Sequence, residues 1–169
     1  MATATQQIYE LGYSHQIYRG VRPQPVAVKY RSLEIESSVS LDLSAGWAFF
    51  SDSLEYAQGY ALGGYILTAT IPPHAVILDL ANVPEVIDGE FLDSILPGLA
   101  DAMGFDGPED SVRADELWER PDYNMKPLAK FARQHGIDIV MWIEGNAFTF
   151  VVVNPDVLED VRRIEEDED

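Results

Sequence analysis

Cysteine is absent from the 169 residues. That excludes disulfide staples, thiolate metal sites and a cysteine nucleophile. Positive charge is scarce: 11 Lys and Arg stand against 29 Asp and Glu, a formal net charge of −18. A chain this acidic repels nucleic-acid phosphates and anionic lipid, so neither direct non-specific nucleic-acid binding nor membrane docking is expected. No apolar run approaches the roughly 18 residues of a membrane span. Residues 1–7 hold no basic region followed by an apolar stretch, so no signal peptide is visible and a cytoplasmic site of action is expected. Phosphate-cradling glycine motifs are missing too: Gly59, Gly63 and Gly64 have neither the spacing nor the setting. No Gly-x-Ser-x-Gly elbow occurs. His15, His74 and His135 are isolated from one another, and no His–carboxylate metal spacing is present, so no metal is expected.

What remains is ordinary globular material. Apolar residues make up 47% and charged residues 24%. The length suits one domain, here 1–158, followed by a frayed acidic tail at 159–169. The acidity is uneven. Between residues 32 and 112 there are 14 Asp and Glu and no Lys or Arg. A solvated, self-repelling surface is the plain reading. Adaptation to high salt and mimicry of a nucleic-acid backbone are the alternatives.

Turn residues and periodicity divide the chain. Residues 17–21 read as a short strand ending at Gly20, and 26–36 are ambiguous between strand and helix. Residues 47–51 form an aromatic β-type run. A helix should follow at once, capped by Asp52 with Glu55 completing a capping box. Its face carries Leu54, Ala57, Tyr60 and Ala61, and Gly63-Gly64 ends it. Residues 65–71 and 76–80 are strands. Residues 84–103 look helical with a break near Pro97-Gly98, and 105–122 look like a loop. Residues 125–135 form a helix with Gly136 at its end. Residues 137–143 and 147–153 are strands joined by the hairpin signal Glu144-Gly145-Asn146. The sum is an α+β fold with a mainly antiparallel sheet and a mid-chain helical insertion.

Three segments in order suggest a family. They are Tyr18-Arg19-Gly20, then residues 49–61 leading into the strands 65–71 and 76–80, then Gly136-Ile137-Asp138-Ile139-Val140, a hairpin, and residues 150–158 with Asn154-Pro155. Together, over roughly residues 17–158, they resemble the ADP-ribosyltransferase-like fold, closest to its bacterial and phage toxin-type members. The resemblance implies a split, mainly antiparallel sheet. It implies an enzyme that takes NAD and transfers ADP-ribose to an acceptor, most often a protein. Such a toxin or effector would act in the cytoplasm of a target cell.

The resemblance also implies roles. Arg19 would contact the pyrophosphate or ribose, for which its charged fork is suited. Gly20 would let the backbone approach nicotinamide. Ser51 and Ser53 are similar to the Ser-x-Ser element that shapes the nicotinamide pocket, although both also suit plain helix capping. Tyr18 flanks the arginine. Phe50, Tyr56 and Tyr60 are candidate aromatic walls. Tyr60 shares the apolar helix face and reads equally well as core, whereas Tyr56 lies off that face. A catalytic Glu is expected at the start of the last strand, and Thr149 stands there instead. Glu144, at the hairpin, is the nearest carboxylate, in a position that ordinarily holds a solvated turn residue. Glu90 and Glu116 in the insertion are the other candidates. Two further readings stand beside the transferase: a catalytically degenerate binding module of the same fold, and an acidic inhibitor of a basic partner.

Overall fold

The computed structural model describes residues 7–21, 48–61, 64–122, 125–145 and 147–164. The ambiguous segment at 26–36, Trp47, Gly63 and Asn146 lie outside them. The strands are β1 (Ile8–Glu10), β2 (His15–Val21) and β3 (Ala48–Ser51), then, after helix α1 (Leu54–Ala61), β4 (Tyr65–Ile71) and β5 (Val76–Asp79). The insertion holds β6 (Val86–Asp88), α2 (Gly89–Ile95), α3 (Leu99–Ala102), β7 (Ser111–Arg113) and α4 (Glu119–Asp122). Helix α5 (Lys126–Gln134), the hairpin β8 (Ile139–Glu144) and β9 (Ala147–Val152), and β10 (Glu159–Ile164) complete the chain.

One eight-stranded sheet runs β1-β5-β8-β9-β3-β2-β4-β10, and β6 and β7 form a separate ribbon. Neighbours in the large sheet are antiparallel except β5 and β8, which are parallel. A parallel pair needs a long crossover, and here the whole insertion and α5 serve as that crossover. The class is therefore α+β with a mostly antiparallel, mixed sheet.

Two buried clusters follow from the period-2 alternation of strands. Val140, Trp142, Val151 and Val153 face the helices, joining Leu92, Leu99, Leu128 and Ala132. Ile139, Met141, Phe150 and Val152 face the other way, with Ile17, Leu67, Ala69 and Ile71 from the opposite half of the sheet. Strands β8 and β9 are thus buried on both faces, which explains their nearly unbroken apolar sequence.

The insertion differs from its expected helix-and-loop form. Val86–Asp88 pairs with Ser111–Arg113, so a strand opens the segment expected to be helical and a second lies in the expected loop. Asp88 closes the ribbon and caps α2, its carboxylate accepting the Phe91 N–H at 2.8 Å. The stretch expected as a frayed tail also differs. Glu159–Ile164 pairs with β4, because Val161 and Ile164 reach the apolar clusters beneath. Residues 165–169 lie outside the described part.

Candidate functional site

Strand β2 pairs with β4 over seven residues, and β3 pairs with β9 over four. Between β2 and β3 the ladder is one residue pair, Tyr18 with Ser51. The pairing narrows to this one residue pair, and a cavity of about 240 Å³ lies beside it. Arg19 bridges the two strands: its Nη1 donates to the Phe49 carbonyl at 3.2 Å. A side chain thus takes a backbone acceptor of the adjacent strand where the ladder is interrupted.

Residues from three distant segments converge on this cavity. Tyr18, Arg19 and Gly20 line it from β2. Phe50 and Ser51 line it from β3, and Tyr56 from α1. Glu144 and Thr149 line it from the hairpin. Phe49 and Ala57, assigned no site role from the sequence, complete the wall.

Ser53 does not line the cavity; it builds the corner. Its N–H donates to Ser51 Oγ at 3.0 Å, and its own Oγ accepts the Tyr56 N–H at 3.1 Å. Ser53, not Asp52, therefore caps α1. The Asp52 carboxylate turns away to accept the Phe148 N–H of the hairpin at 3.1 Å. The cap sets the helix so that Tyr56, three residues on, faces the cavity. Tyr60 lies in the same helix, but its side chain is outside the described part.

Glu144 is not the free turn residue that its hairpin position suggested. It is half-buried. Its Oε1 accepts the Trp142 indole N–H at 3.3 Å, and its Oε2 accepts the Tyr56 hydroxyl at 3.2 Å. Trp142 and Glu144 are two residues apart on one strand and so share a face. That relation was available in the sequence; Tyr56 as the second partner, 88 residues away, was not. Glu90 and Glu116 are exposed and do not line the cavity, so the insertion brings no carboxylate to it.

Thr149 and Ser51 sit opposite each other in the β3–β9 register. Each is 4% exposed. Thr149 therefore occupies the buried place where a carboxylate was expected, and Glu144 supplies negative charge from further out on the same hairpin.

Among the described residues no group of three or more His, Asp and Glu side chains is placed to hold a metal ion. No helix among them is long and apolar enough to cross a membrane. No family model and no curated protein sequence matches the chain. A solved structure described as a crystal structure of an anti-CRISPR protein is similar at a TM-score of 0.47. It shares 14% identity, with 92% of this chain and 100% of that chain covered.

Proposed function

We propose that this chain is an NAD-dependent mono-ADP-ribosyltransferase with the split-sheet fold of that family, acting on a protein acceptor in a cytoplasm. One observation carries the reading: the β2–β3 junction gathers Arg19, Ser51, Tyr56 and Glu144 around one cavity. The resemblance assigns Arg19, Ser51 and Tyr56 to NAD, and Glu144 is the carboxylate nearest the strand start at which it expects a catalytic Glu.

The cavity's size suits the nicotinamide nucleoside end of NAD, with the adenosine end lying outside. Gly20 offers close backbone approach, and Phe49, Phe50 and Tyr56 offer faces for a planar ring. Arg19 provides a permanent positive charge for the diphosphate. Loss of nicotinamide leaves positive charge on the ribose, as in glycoside cleavage, and a fixed carboxylate stabilises it. Glu144 has the charge for that task. Trp142 and Tyr56 hold both of its oxygens, so the charge is oriented before substrate arrives.

The test is nicotinamide release from NAD, with NAD binding measured separately. Wild type should bind and release. Arg19→Ala should weaken binding. Glu144→Gln should keep binding but slow release by about 10²-fold or more, the usual effect of losing one group that stabilises transition-state charge. A wild type that binds no NAD overturns the proposal. The second reading, a binding module without turnover, draws on Thr149 in place of the expected Glu. It requires NAD binding with no release, indifferent to Glu144→Gln.

A further inference from the structure

Helix α1 and the hairpin supply two walls of the cavity, and they are held in place very differently. Along the hairpin, Ile139, Val140, Trp142, Val151 and Val152 are each at most 1% exposed, and they pack on both faces of the sheet. In α1, Ala57 alone is buried among the described side chains, and it belongs to a small cluster apart from the two large ones. Gly59 stands exposed in the second turn of the helix, and a Cβ there would meet nothing within 4 Å. A glycine at such a position weakens a helix by about fivefold relative to alanine, and here no close neighbour requires one. Few buried apolar contacts and a poor helix former put α1 at the low-stability end of the molecule.

Polar ties to the hairpin lie at the N-terminal end of α1. The Asp52 N–H donates to the Phe148 carbonyl at 3.3 Å, and the Phe148 N–H donates to the Asp52 carboxylate at 3.1 Å. These two bonds pin the residue just before the Ser53 cap. One turn further on, the Tyr56 hydroxyl donates to Glu144 Oε2 at 3.2 Å and so joins the two walls. That is long for a hydroxyl on a carboxylate, where about 2.5–2.7 Å is usual. Glu144 stays anchored without it, because the Trp142 indole N–H holds its other oxygen. The Tyr56 bond is therefore the one that breaks most easily.

We infer that α1 is a lid on the cavity, hinged at the Asp52–Phe148 corner and latched by the Tyr56–Glu144 hydrogen bond. When the latch breaks, α1 turns away from the hairpin and opens the cavity, while the corner keeps both of its bonds. Ligand enters the open form, and closure returns Tyr56 to the wall. This gating goes beyond the NAD reading: it requires that the cavity take a ligand, whichever ligand that is.

Hydrogen exchange of the ligand-free protein reads the latch, and two substitutions move it in opposite directions. Tyr56→Phe keeps the ring and removes the donor. Amides of residues 56–61 should then exchange about fivefold faster, the net effect of one hydrogen bond. Gly59→Ala strengthens the helix at a position that does not line the cavity. The same amides should exchange about three- to fivefold slower. Amides of β8 and β9 should exchange alike in all three proteins, which separates lid opening from general loosening. Stopped-flow association with NAD gives the second readout. Its rate should rise about fivefold in Tyr56→Phe and fall in Gly59→Ala, because only the open form admits ligand. Unchanged α1 exchange in Tyr56→Phe overturns the latch. Faster exchange in α1, β8 and β9 together overturns a local lid. Exchange that shifts while the association rate does not overturns the gate. A wild type that binds no NAD overturns the NAD reading alone, and exchange then decides the latch.

Discussion

Asp79 shows how this chain buries a charge that belongs to the scaffold. It is 2% exposed, and its carboxylate accepts four donors. They are the Tyr9 hydroxyl at 2.6 Å, the Ala81 N–H at 2.8 Å, and the Asn82 N–H and Nδ2 at 3.0 and 2.7 Å. Burial, and then the hydrogen bond to Asp79, push the Tyr9 phenol above its ordinary pKa, so it stays a donor throughout the neutral range. The cluster ties β1 to the end of β5, the same end at which Gln7 donates to the Asp79 carbonyl. Each of these groups has a protein partner. Asp79→Ala strands several donors at once and should destabilise the fold by about 3 kcal/mol, as urea unfolding would measure. A loss well under about 1 kcal/mol would mean that the donors find water instead. Arg19 was legible from sequence because a cation beside a glycine is rare in so acidic a chain. The place of Glu144 was not, because its second partner comes from a helix 88 residues earlier.

At the scale of elements, two short devices fix what the site depends on. The first is the Ser53 cap, which orients α1 and with it Tyr56. Ser53→Ala should cost about 1 kcal/mol and weaken ligand binding through Tyr56 without touching the ligand. The second is the clamp that closes the insertion. Arg120 donates to both Asp110 oxygens, at 2.6 and 2.8 Å, and lies over the Phe105 ring at 4.6 Å. Asp110 also accepts the Asp106 N–H at 2.9 Å. The Arg120 hydrogen bonds, followed by the Asp106 backbone contact, hold the Asp110 carboxyl well below the usual carboxylate range. A group whose pKa is lowered on folding adds stability above its unfolded pKa, about 3.9 for Asp, and loses it as pH falls through the folded value. The stability difference between wild type and Asp110→Asn should therefore be constant from pH 7 to about 5 and shrink below about 4. A difference that persists unchanged into strong acid would show that the clamp is not ionic. This lobe is also where sequence reading failed most. Residues 86–88 and 111–113 are three-residue strands whose pairing partners are each other, and three residues carry no readable period. Gly89 seats the first turn of α2 against Gly107 and Pro108, where a Cβ would strike the Gly107 carbonyl. The long strands β4, β8 and β9 were legible as runs of six or seven residues, rich in β-branched and aromatic side chains, between turn signals, and helix α5 from its apolar face. Asp52 was mistaken for the cap because Asp52 and Ser53 are both good capping residues at adjacent positions. Only the tertiary bond to Phe148 decides between them.

Across the whole molecule, 29 acidic residues against 11 basic ones leave an excess of 18 negative charges on one domain. Ion pairs among the described residues include Arg113 with Asp115, Arg120 with Asp110, and Arg162 with Asp160, each within ten residues in sequence. The two exposed pairs, Arg113–Asp115 and Arg162–Asp160, contribute little, while repulsion among the remaining carboxylates acts over the whole surface and opposes the compact state. Salt weakens both, but not equally. From 0.1 to 1 M the screening length falls from about 10 Å to about 3 Å. That removes the long-range repulsion between carboxylates and leaves the Asp110–Arg120 contact, at 2.6 Å, largely in place. The melting temperature should therefore rise between 0.1 and 1 M sodium chloride. A gain of about 1 kcal/mol would appear as roughly 2–4 °C for a domain of this size. An uncharged osmolyte that raises the melting temperature by exclusion alone supplies the control, since it should stabilise wild type and a charge-reduced variant equally. Salt should favour wild type over a variant with several exposed carboxylates between residues 85 and 119 changed to amides. If salt leaves the melting temperature flat, the carboxylates are far enough apart on the folded surface for repulsion to be minor. The acidity would then act on solubility and on the choice of partners rather than on the fold.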